Sequence, residues 1–303
     1  ENIIIDEQDI IGTYDERQQE QCGLYFRYQA IKQQHPGWGY KRIAKSMGQP
    51  IGKTRWWHEG RLPVPVQTAV WLRERDLLPL KLDNPKLPLI SKVLGATFGD
   101  GGIFDNLNGI FLSSSEKKAV EEFGEDLENI FGFKRAENSR IIEGGEYGHS
   151  WCFQNTNRNC IRFFVALGAP RGNKTQLELR VPSWVESNTR FEDEFVGSFA
   201  GGELGTPIMQ KGANNLTTLE IGITGIPRLQ ENRREFLRWI KNHLARKDVF
   251  CTALYERELN AESRIFRLQI SKKFDNVLHF MMNVKINYCG YKQQRLLNAL
   301  GAW

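Results

Sequence analysis

The chain has 303 residues, of which 40% are hydrophobic and 25% are charged, a balance typical of globular proteins with buried cores. Its 41 Lys and Arg residues against 36 Asp and Glu residues give a net charge of +5, which permits a polyanionic partner without requiring one. No apolar run approaches the roughly 20 residues of a membrane helix, and the cysteines form no CxxC pair, which excludes a membrane protein, a zinc finger and a disulfide framework.

Residues 1–85 predict a small all-α domain followed by a linker. Apolar residues recur at helical spacing from Glu16 to Gln34, and two short helices follow, at Tyr40 to Met47 and at Gly52 to His58. The turn Gly48-Gln49-Pro50 separates these two short helices. Two short helices joined by a glycine-containing turn are typical of a helix-turn-helix unit.

The second helix of such a unit enters the major groove of DNA, where its early residues contact bases. Lys53, Thr54 and Arg55 are therefore the candidate DNA-binding residues of this domain. The alternative is a helical packing domain with a basic, solvated face. Because two exposed neighbouring indoles would be costly, we expect at least one of Trp56 and Trp57 to lie in the core.

After a proline-rich linker, the remaining chain predicts the same series of elements twice. The segments 86–186 and 187–303 each show the pattern of a helix, two strands, a helix, two strands and a helix. Internal repetition at this period indicates a duplicated supersecondary unit. The predicted fold class is therefore α+β, with two pseudo-symmetric αββαββα halves preceded by the helical domain.

A glycine-rich segment, Val93 to Gly102, opens the first half. Gly95 and Gly99 lie four residues apart, on one face of a helix, so that another backbone can approach closely. Asp100 follows directly, where a glycine pair ends the helix. The alternative for a single copy of this motif is a buried helix contact followed by a capped turn.

A second segment, Val196 to Glu203, resembles the first. Ser198 and Gly202 form its small pair, and Glu203 takes the place of Asp100. Packing the two small faces together would bring the two carboxylates side by side. Paired carboxylates form a hard oxygen site for Mg²⁺ or another divalent cation, which can promote phosphoryl chemistry.

These two segments resemble the motifs of the single-chain LAGLIDADG homing endonuclease family, and the resemblance covers about Leu87 to Trp303. It implies a DNA-binding saddle made by the two halves, metal-dependent cleavage of both strands of DNA, and metal binding by Asp100 and Glu203. It also implies a catalytic lysine near the end of a last strand, a position occupied by Lys272. A solvated lysine is the alternative there.

Two alternatives concern the register of the second motif and the residues that face DNA. Aligning Gly95 with Gly197 instead would put Gly202 at the acidic position and supply no second carboxylate. Exposed strand faces would contact base edges in the major groove, although generic exposed polar residues are an equal alternative. The candidate DNA-contacting residues on these faces are Arg140, Gln154, Arg267, Gln269 and Ser271.

The leading functional prediction is a site-specific, Mg²⁺-dependent endonuclease of double-stranded DNA, derived from an intron or an intein. The alternative is a cleavage-deficient LAGLIDADG DNA-binding regulator or an RNA maturase. A splicing intein is less favoured, because the ends of the chain lack the nucleophile and asparagine of splicing. Acidic residues occur as early as Asp6, which is not typical of a secretion signal, and we therefore expect a cytoplasmic protein. We also expect a monomer with internal pseudo-two-fold symmetry.

Overall fold

A computed structural model of the chain describes residues 2–134, 137–144, 149–210, 212 and 215–302. The chain divides into two compact units, Glu1–Leu82 and Asp83–Trp303. Within the described part of the chain, no helix is both long and apolar enough to cross a membrane.

The N-terminal unit is mainly helical. Its elements are β1 (Ile3–Ile5), α1 (Glu7–Gly12), α2 (Glu16–Gln34), α3 (Tyr40–Met47), α4 (Ile51–His58), α5 (Val64–Arg73) and β2 (Leu80–Lys81), with β1 and β2 paired antiparallel. Gly48 ends α3 with a φ of 64°, a left-handed conformation that favours glycine, and this turns the chain into α4.

The core of this unit explains which of the two adjacent indoles is buried. Trp57 is 8% exposed and packs edge-on against Tyr25 of α2, with 5.9 Å between the ring centroids. Trp56, one residue earlier on α4, is 57% exposed. The expectation that at least one of the pair lies in the core is confirmed. The role of α3 and α4 as a DNA-binding helix-turn-helix remains a prediction.

The C-terminal unit combines helices with two antiparallel sheets. Its first part contains α6 (Leu87–Phe98), β3 (Gly101–Ile103), β4 (Ile110–Ser114), α7 (Lys117–Phe131), β5 (Ser139–Glu143), β6 (Trp151–Asn155) and α8 (Arg158–Ala166). The strands form an antiparallel sheet in the order β3-β4-β6-β5. A connection follows through a 3-10 turn at Lys174–Gln176 and α9 (Ser183–Glu186).

The rest of the unit contains α10 (Thr189–Glu203), β7 (Glu220–Gly225), a 3-10 turn at Pro227–Leu229, α11 (Gln230–Ala245), β8 (Cys251–Asn260), β9 (Ser263–Ile270), α12 (Phe274–Asn283) and α13 (Gly290–Ala302). Its antiparallel sheet has the order β7-β9-β8. The α+β class with antiparallel sheets is confirmed.

The second sheet differs from the expected two strands before its central helix. Among the described residues, only β7 forms a full strand between α10 and α11, and the stretch before it makes single bridges, Leu204 to Ile221 and Met209 to Leu216. Pro207 lies in this stretch and has no N–H to donate to a ladder. The exact pseudo-symmetric layout therefore stays a prediction.

Candidate active site at the ends of two packed helices

Two helices, α6 and α10, pack against each other because small residues let their backbones approach. A Cβ added at Gly95 would lie 2.3 Å from the carbonyl oxygen of Phe195, and one added at Gly202 would lie 2.7 Å from the amide nitrogen of Asp100. Ser91 fixes the other end, where its hydroxyl donates to the carbonyl oxygen of Phe191 at 2.6 Å. The helix pair therefore needs glycine at both close approaches.

The two small residues of α10, Gly202 and Ser198, have different neighbours. Gly202 faces Gly99 and Asp100 of the first motif, whereas Ser198 accepts a hydrogen bond from the side chain of Asn287 at 3.2 Å. The approach of α6 to α10 thus uses Gly202, while Ser198, which we had expected to face α6, lies against the segment that precedes α13.

The helix pair brings together the two carboxylates that the sequence singled out. Asp100 follows the C-terminal end of α6, and Glu203 is the last residue of α10. As whole residues, Asp100 is exposed and Glu203 is half-buried. Their carboxyl groups are nevertheless largely surrounded by protein atoms. Desolvation raises the pKa of Asp100, and desolvation together with the charge of Asp100 raises the pKa of Glu203 to about 7. Two carboxylates that disfavour each other's charge are a natural place for a cation.

Two lysines that sequence reasoning missed lie at the same helix ends. Lys174 donates from Nζ to the carbonyl oxygens of Gly99 and of Gly101, the latter at 2.7 Å. Lys292, which is 5% exposed, donates to the carbonyl oxygens of Gly201 and Gly202, both at 2.8 Å. Each lysine therefore binds main-chain oxygens next to one of the two carboxylates, where a cation also complements the negative end of a helix.

The charges of these groups act on one another. Lys292 and Lys174 lower the pKa of Asp100 and of Glu203, against the larger effect of desolvation. Desolvation lowers the pKa of Lys174, although both carboxylates oppose this shift. Two carboxyl groups and two lysine side chains therefore lie close enough to affect one another's pKa.

Lys272, the lysine predicted for a catalytic role, has a different main-chain partner. It follows β9, and its Nζ donates to the carbonyl oxygen of Thr217 at 3.1 Å. The lysine charges that shift the pKa values of Asp100 and Glu203 come from Lys174 and Lys292. The catalytic role of Lys272 stays a prediction.

The donor set suits a divalent cation that keeps several solvent or substrate oxygens. In the described part of the chain, no group of three or more His, Cys, Asp and Glu side chains is arranged to hold a metal ion, so two carboxylates are the protein's charged ligands here. A cavity of about 50 Å³ adjoins Asp100 and Lys292 and is lined by the hydroxyl-bearing residues Ser113, Ser114, Ser115 and Tyr291. A cavity of this size holds water, which would complete the shell of a Mg²⁺-like ion.

The predicted DNA-contacting residues of the sheets are engaged with neighbouring side chains. Arg140 donates from Nε and Nη2 to Gln154 Oε1, at 2.9 and 2.6 Å, because the two residues pair across β5 and β6. Arg267 forms an ion pair with Glu220. Gln269 Oε1 accepts a hydrogen bond from the hydroxyl of Thr252 at 3.0 Å.

Buried positions correct two of the predicted contacts. Ser271 is 6% exposed and Thr54 is fully buried, and the hydroxyl of Thr54 donates to the carbonyl oxygen of Ile51 at 3.0 Å. Neither hydroxyl is available to a nucleic acid in this conformation. Arg55 remains exposed but is held by Glu59 at 2.7 Å, and the Nζ of Lys53 lies 5.6 Å from the ring centroid of Trp57.

No family model matches the chain. The chain is 30% identical over 247 residues to the tRNA-splicing ligase RtcB of Pyrococcus furiosus, a match that covers 77% of this chain and 24% of that protein. Three more archaeal proteins of the same name, one of them from Methanocaldococcus jannaschii, are 27 to 29% identical. The chain thus spans about a quarter of the length of these relatives.

Proteins with other names share part of the same segment. The chain is 25% identical to the DNA-directed RNA polymerase subunit Rpo1N of M. jannaschii, over 57% of this chain and 14% of that protein. It is 31% identical over 115 residues to the archaeal Lon protease of Pyrococcus abyssi, over 38% of this chain and 10% of that protein.

Among solved structures, the homing endonuclease I-DmoI is similar. Its complex with DNA and Ca covers 66% of this chain and 90% of that chain, with 13% identity and a TM-score of 0.43. The sequence relatives overturn the functional prediction made above. Because four of them are named tRNA-splicing ligase, the prediction of a DNA endonuclease is wrong.

Proposed function

We propose that this chain is an RNA-binding module in which Asp100 and Glu203 hold a divalent cation for chemistry at an RNA phosphodiester. One observation carries the proposal: two carboxylates at the ends of packed helices, each beside a lysine that binds the adjoining carbonyl oxygens. Such a constellation suits a reaction in which charge develops on phosphoryl oxygens.

The charge of the site supports a phosphate ligand. The formal charges of Asp100, Glu203, Lys174 and Lys292 cancel when all four groups are ionised. A divalent cation bound by the carboxylates would leave the site positive, and would supply Lewis acidity toward a phosphoryl oxygen. The lysines, fixed on main-chain oxygens, would lie beside that phosphate.

The names of the relatives support RNA as the substrate and limit how far their activities carry over. The matched ligases are named for the splicing of tRNA, and the matched polymerase subunit is also named for an enzyme of RNA. A part of the chain also matches a protease, however, and a ligase, a polymerase and a protease have no reaction in common. We therefore propose a module that accompanies different proteins, rather than the catalytic core of a ligase.

The proposal includes the internal symmetry indicated by the sequence. We propose that residues 86–186 and 187–303 are related LAGLIDADG-type halves, and that the protein acts as a monomer with one carboxylate from each half. The lysines support this in part, because Lys174 binds the carbonyl oxygen of Gly99 and Lys292 that of Gly202, the residues directly before Asp100 and Glu203.

The test uses the purified 303-residue chain, Mn²⁺ or Mg²⁺, and end-labelled RNA and DNA of the same sequence. We expect calorimetric cation binding and a cation-dependent change in RNA length, by cleavage or joining, both lost in Asp100→Asn and in Glu203→Gln. Lys272→Gln serves as the matched control and should retain both. Processing of DNA with RNA left intact would overturn the RNA assignment, and unchanged cation binding in both carboxylate variants would overturn the site.

A further inference from the structure

The net positive charge of the whole chain is concentrated in one short segment. Residues 36–62 carry six Lys and Arg residues and a single acid, a net charge of +5, equal to that of all 303 residues. The remaining residues therefore sum to zero. The cations of this segment are Lys41, Arg42, Lys45, Lys53, Arg55 and Arg61, and its acid is Glu59. Helices α3 and α4 thus form the electrostatic footprint for a polyanion.

The same segment exposes an aromatic ring. Trp56 on α4 is 57% exposed, and Ile51, on the first turn of the helix, is 52% exposed. An indole is among the largest apolar side chains, and leaving it in water forgoes the free energy of its burial. The guanidinium of Arg61 lies 5.6 Å from the centroid of the Trp56 ring. A basic surface therefore presents a flat apolar ring with a cation over one of its faces.

A second ring and cation occur in the same segment. The guanidinium of Arg42 lies 4.2 Å from the centroid of the Trp38 ring. The imidazole of His35 stacks on the same ring, with 3.9 Å between the ring centroids. Trp38 is half-buried and packs against the core of the unit, whereas Trp56 is exposed. An exposed ring beside cations suits a polymer that alternates flat bases with charged phosphates.

The outward surface of α4 is poorly suited to reading base edges in a duplex. Thr54 is buried and Arg55 is held by Glu59, so two of the three residues expected to read bases are engaged within the helix. The indole of Trp56 carries a single N–H donor, and its flat face offers stacking instead of a pattern of donors and acceptors.

We propose that Trp56 stacks on an unpaired nucleobase while Arg61 and Lys53 contact the flanking phosphates, so that the N-terminal unit binds single-stranded nucleic acid. Every base has a π-face, and unpaired bases can stack on aromatic side chains where paired ones cannot. This inference rests on the proposed nucleic-acid partner but is independent of the cation site.

The experiment measures binding of the 303-residue chain to short single-stranded RNA and DNA containing 2-aminopurine, beside the matching duplexes. Fluorescence anisotropy gives the dissociation constant, and quenching of 2-aminopurine reports stacking. We expect Trp56→Ala to weaken single-strand binding by about 5-fold to about 150-fold and to abolish the quenching. Trp56→Phe should retain most of both.

Ile51→Ala is the matched control, because Ile51 is an exposed apolar residue of the same helix. Equal losses in Ile51→Ala and Trp56→Ala would indicate an apolar protein-docking surface and overturn the proposal. Full affinity in Trp56→Ala, or a preference for duplex that ignores Trp56, would also overturn it. The RNA and DNA arms show which single strand is preferred.

Asp100→Asn separates this proposal from the proposed function. We expect that variant to bind and quench the single strand as the wild type does, while losing cation-dependent chemistry. Trp56-dependent quenching without any cation binding would refute only the carboxylate site. Cation-dependent chemistry without Trp56-dependent binding would refute only the stacking surface.

Discussion

The guanidinium of Arg233 donates a hydrogen bond to the carbonyl oxygen of Lys174 at 2.6 Å. It also donates to the carbonyl oxygens of Leu177 at 2.8 Å and Thr224 at 3.1 Å. Arg233 is fully buried on α11, and burial lowers its pKa to about 10. A buried cation thus fixes the main chain of the lysine that binds the end of α6, and hydrogen bonds to a charged donor are the strong ones.

Gly225→Ala should disturb this arrangement. A Cβ at position 225 would lie 2.9 Å from Arg233 Nε and 3.0 Å from Arg233 Cγ, so the guanidinium must move away from its carbonyl acceptors. We expect a loss of about 1–3 kcal/mol in the free energy of unfolding and weaker cation-dependent activity. Chemical denaturation measures the loss of stability, and the RNA-length assay measures the loss of cation-dependent activity.

Gly222→Ala, on the same strand, is the control for that substitution. Its Cβ would meet Ile265 Cδ1 at 3.5 Å, an ordinary contact. We expect a stability change within about 0.5 kcal/mol. Equal losses in the two variants would show that the strand resists any side chain, and that Arg233 has no special role.

Gly95→Ala should separate α6 from α10. The added Cβ would meet the carbonyl oxygen of Phe195 at 2.3 Å and its Cα at 2.8 Å, and these are backbone atoms that cannot rotate away. We expect severe destabilisation, above about 3 kcal/mol, measured as a fall in the denaturation midpoint. Gly23→Ala in α2 meets nothing within 4 Å and should stabilise by about 0.4–1 kcal/mol. A well-tolerated Gly95→Ala would contradict the close packing of this helix pair.

These glycines show what the sequence could predict of the site. Small residues four apart, followed by an acid, are a local pattern, and so Asp100 and Glu203 could be singled out from their own segments. Lys174 and Lys292 could not, because their acceptors are main-chain oxygens far away in sequence, and any residue type offers such an oxygen.

The exposed faces of the strands were harder to predict for a related reason. Alternation correctly indicates which side of β9 is buried, since Phe266, Leu268 and Ile270 are all 0% exposed. It does not reveal that Arg267 finds Glu220 on the neighbouring strand, because that pairing depends on register. Polar side chains that look available in a sequence can satisfy one another in the sheet.

Acid should destabilise the fold through His243. This residue is 1% exposed, with Nδ1 3.1 Å from Glu192 and Nε2 3.2 Å from Asp193. Burial lowers the pKa of His243, and the charge of Arg246 lowers it further. The two carboxylates raise it by a smaller amount. His243 therefore binds a proton more readily in the unfolded chain than in the folded chain. Stability should be retained above the unfolded pKa of about 6.5 and fall below it.

Thermal melting between pH 5 and pH 8 tests this prediction, with His243→Gln as the comparison. The wild type should lose melting temperature as the pH falls below about 6.5, and the variant should lose less over the same interval. Parallel profiles for the two proteins would show that the acid sensitivity arises from other groups.

Lys292→Met should separate binding of the cation from binding of the phosphate. The ammonium of Lys292 lowers the pKa of both carboxylates by its positive charge, and the same charge repels a divalent cation. Without it, we expect Mn²⁺ to bind at least about tenfold more tightly at pH 8. A unit charge and a divalent ion several ångströms apart repel by several kcal/mol in an effective dielectric of about 20, and the higher pKa of the two carboxylates in the variant offsets part of that gain. Activity on RNA should nevertheless fall, because the site loses positive charge toward a phosphate.

Two losses complicate this variant and can be measured. The carbonyl oxygens of Gly201 and Gly202 lose their donor, which costs about 1–3 kcal/mol of stability, so melting is recorded beside calorimetry. Lys272→Met, whose ammonium binds Thr217 instead, should leave Mn²⁺ affinity unchanged. If Lys292→Met weakened Mn²⁺ binding while the fold remained intact, the lysine would have to position the carboxylates, and the electrostatic account of the site would be wrong.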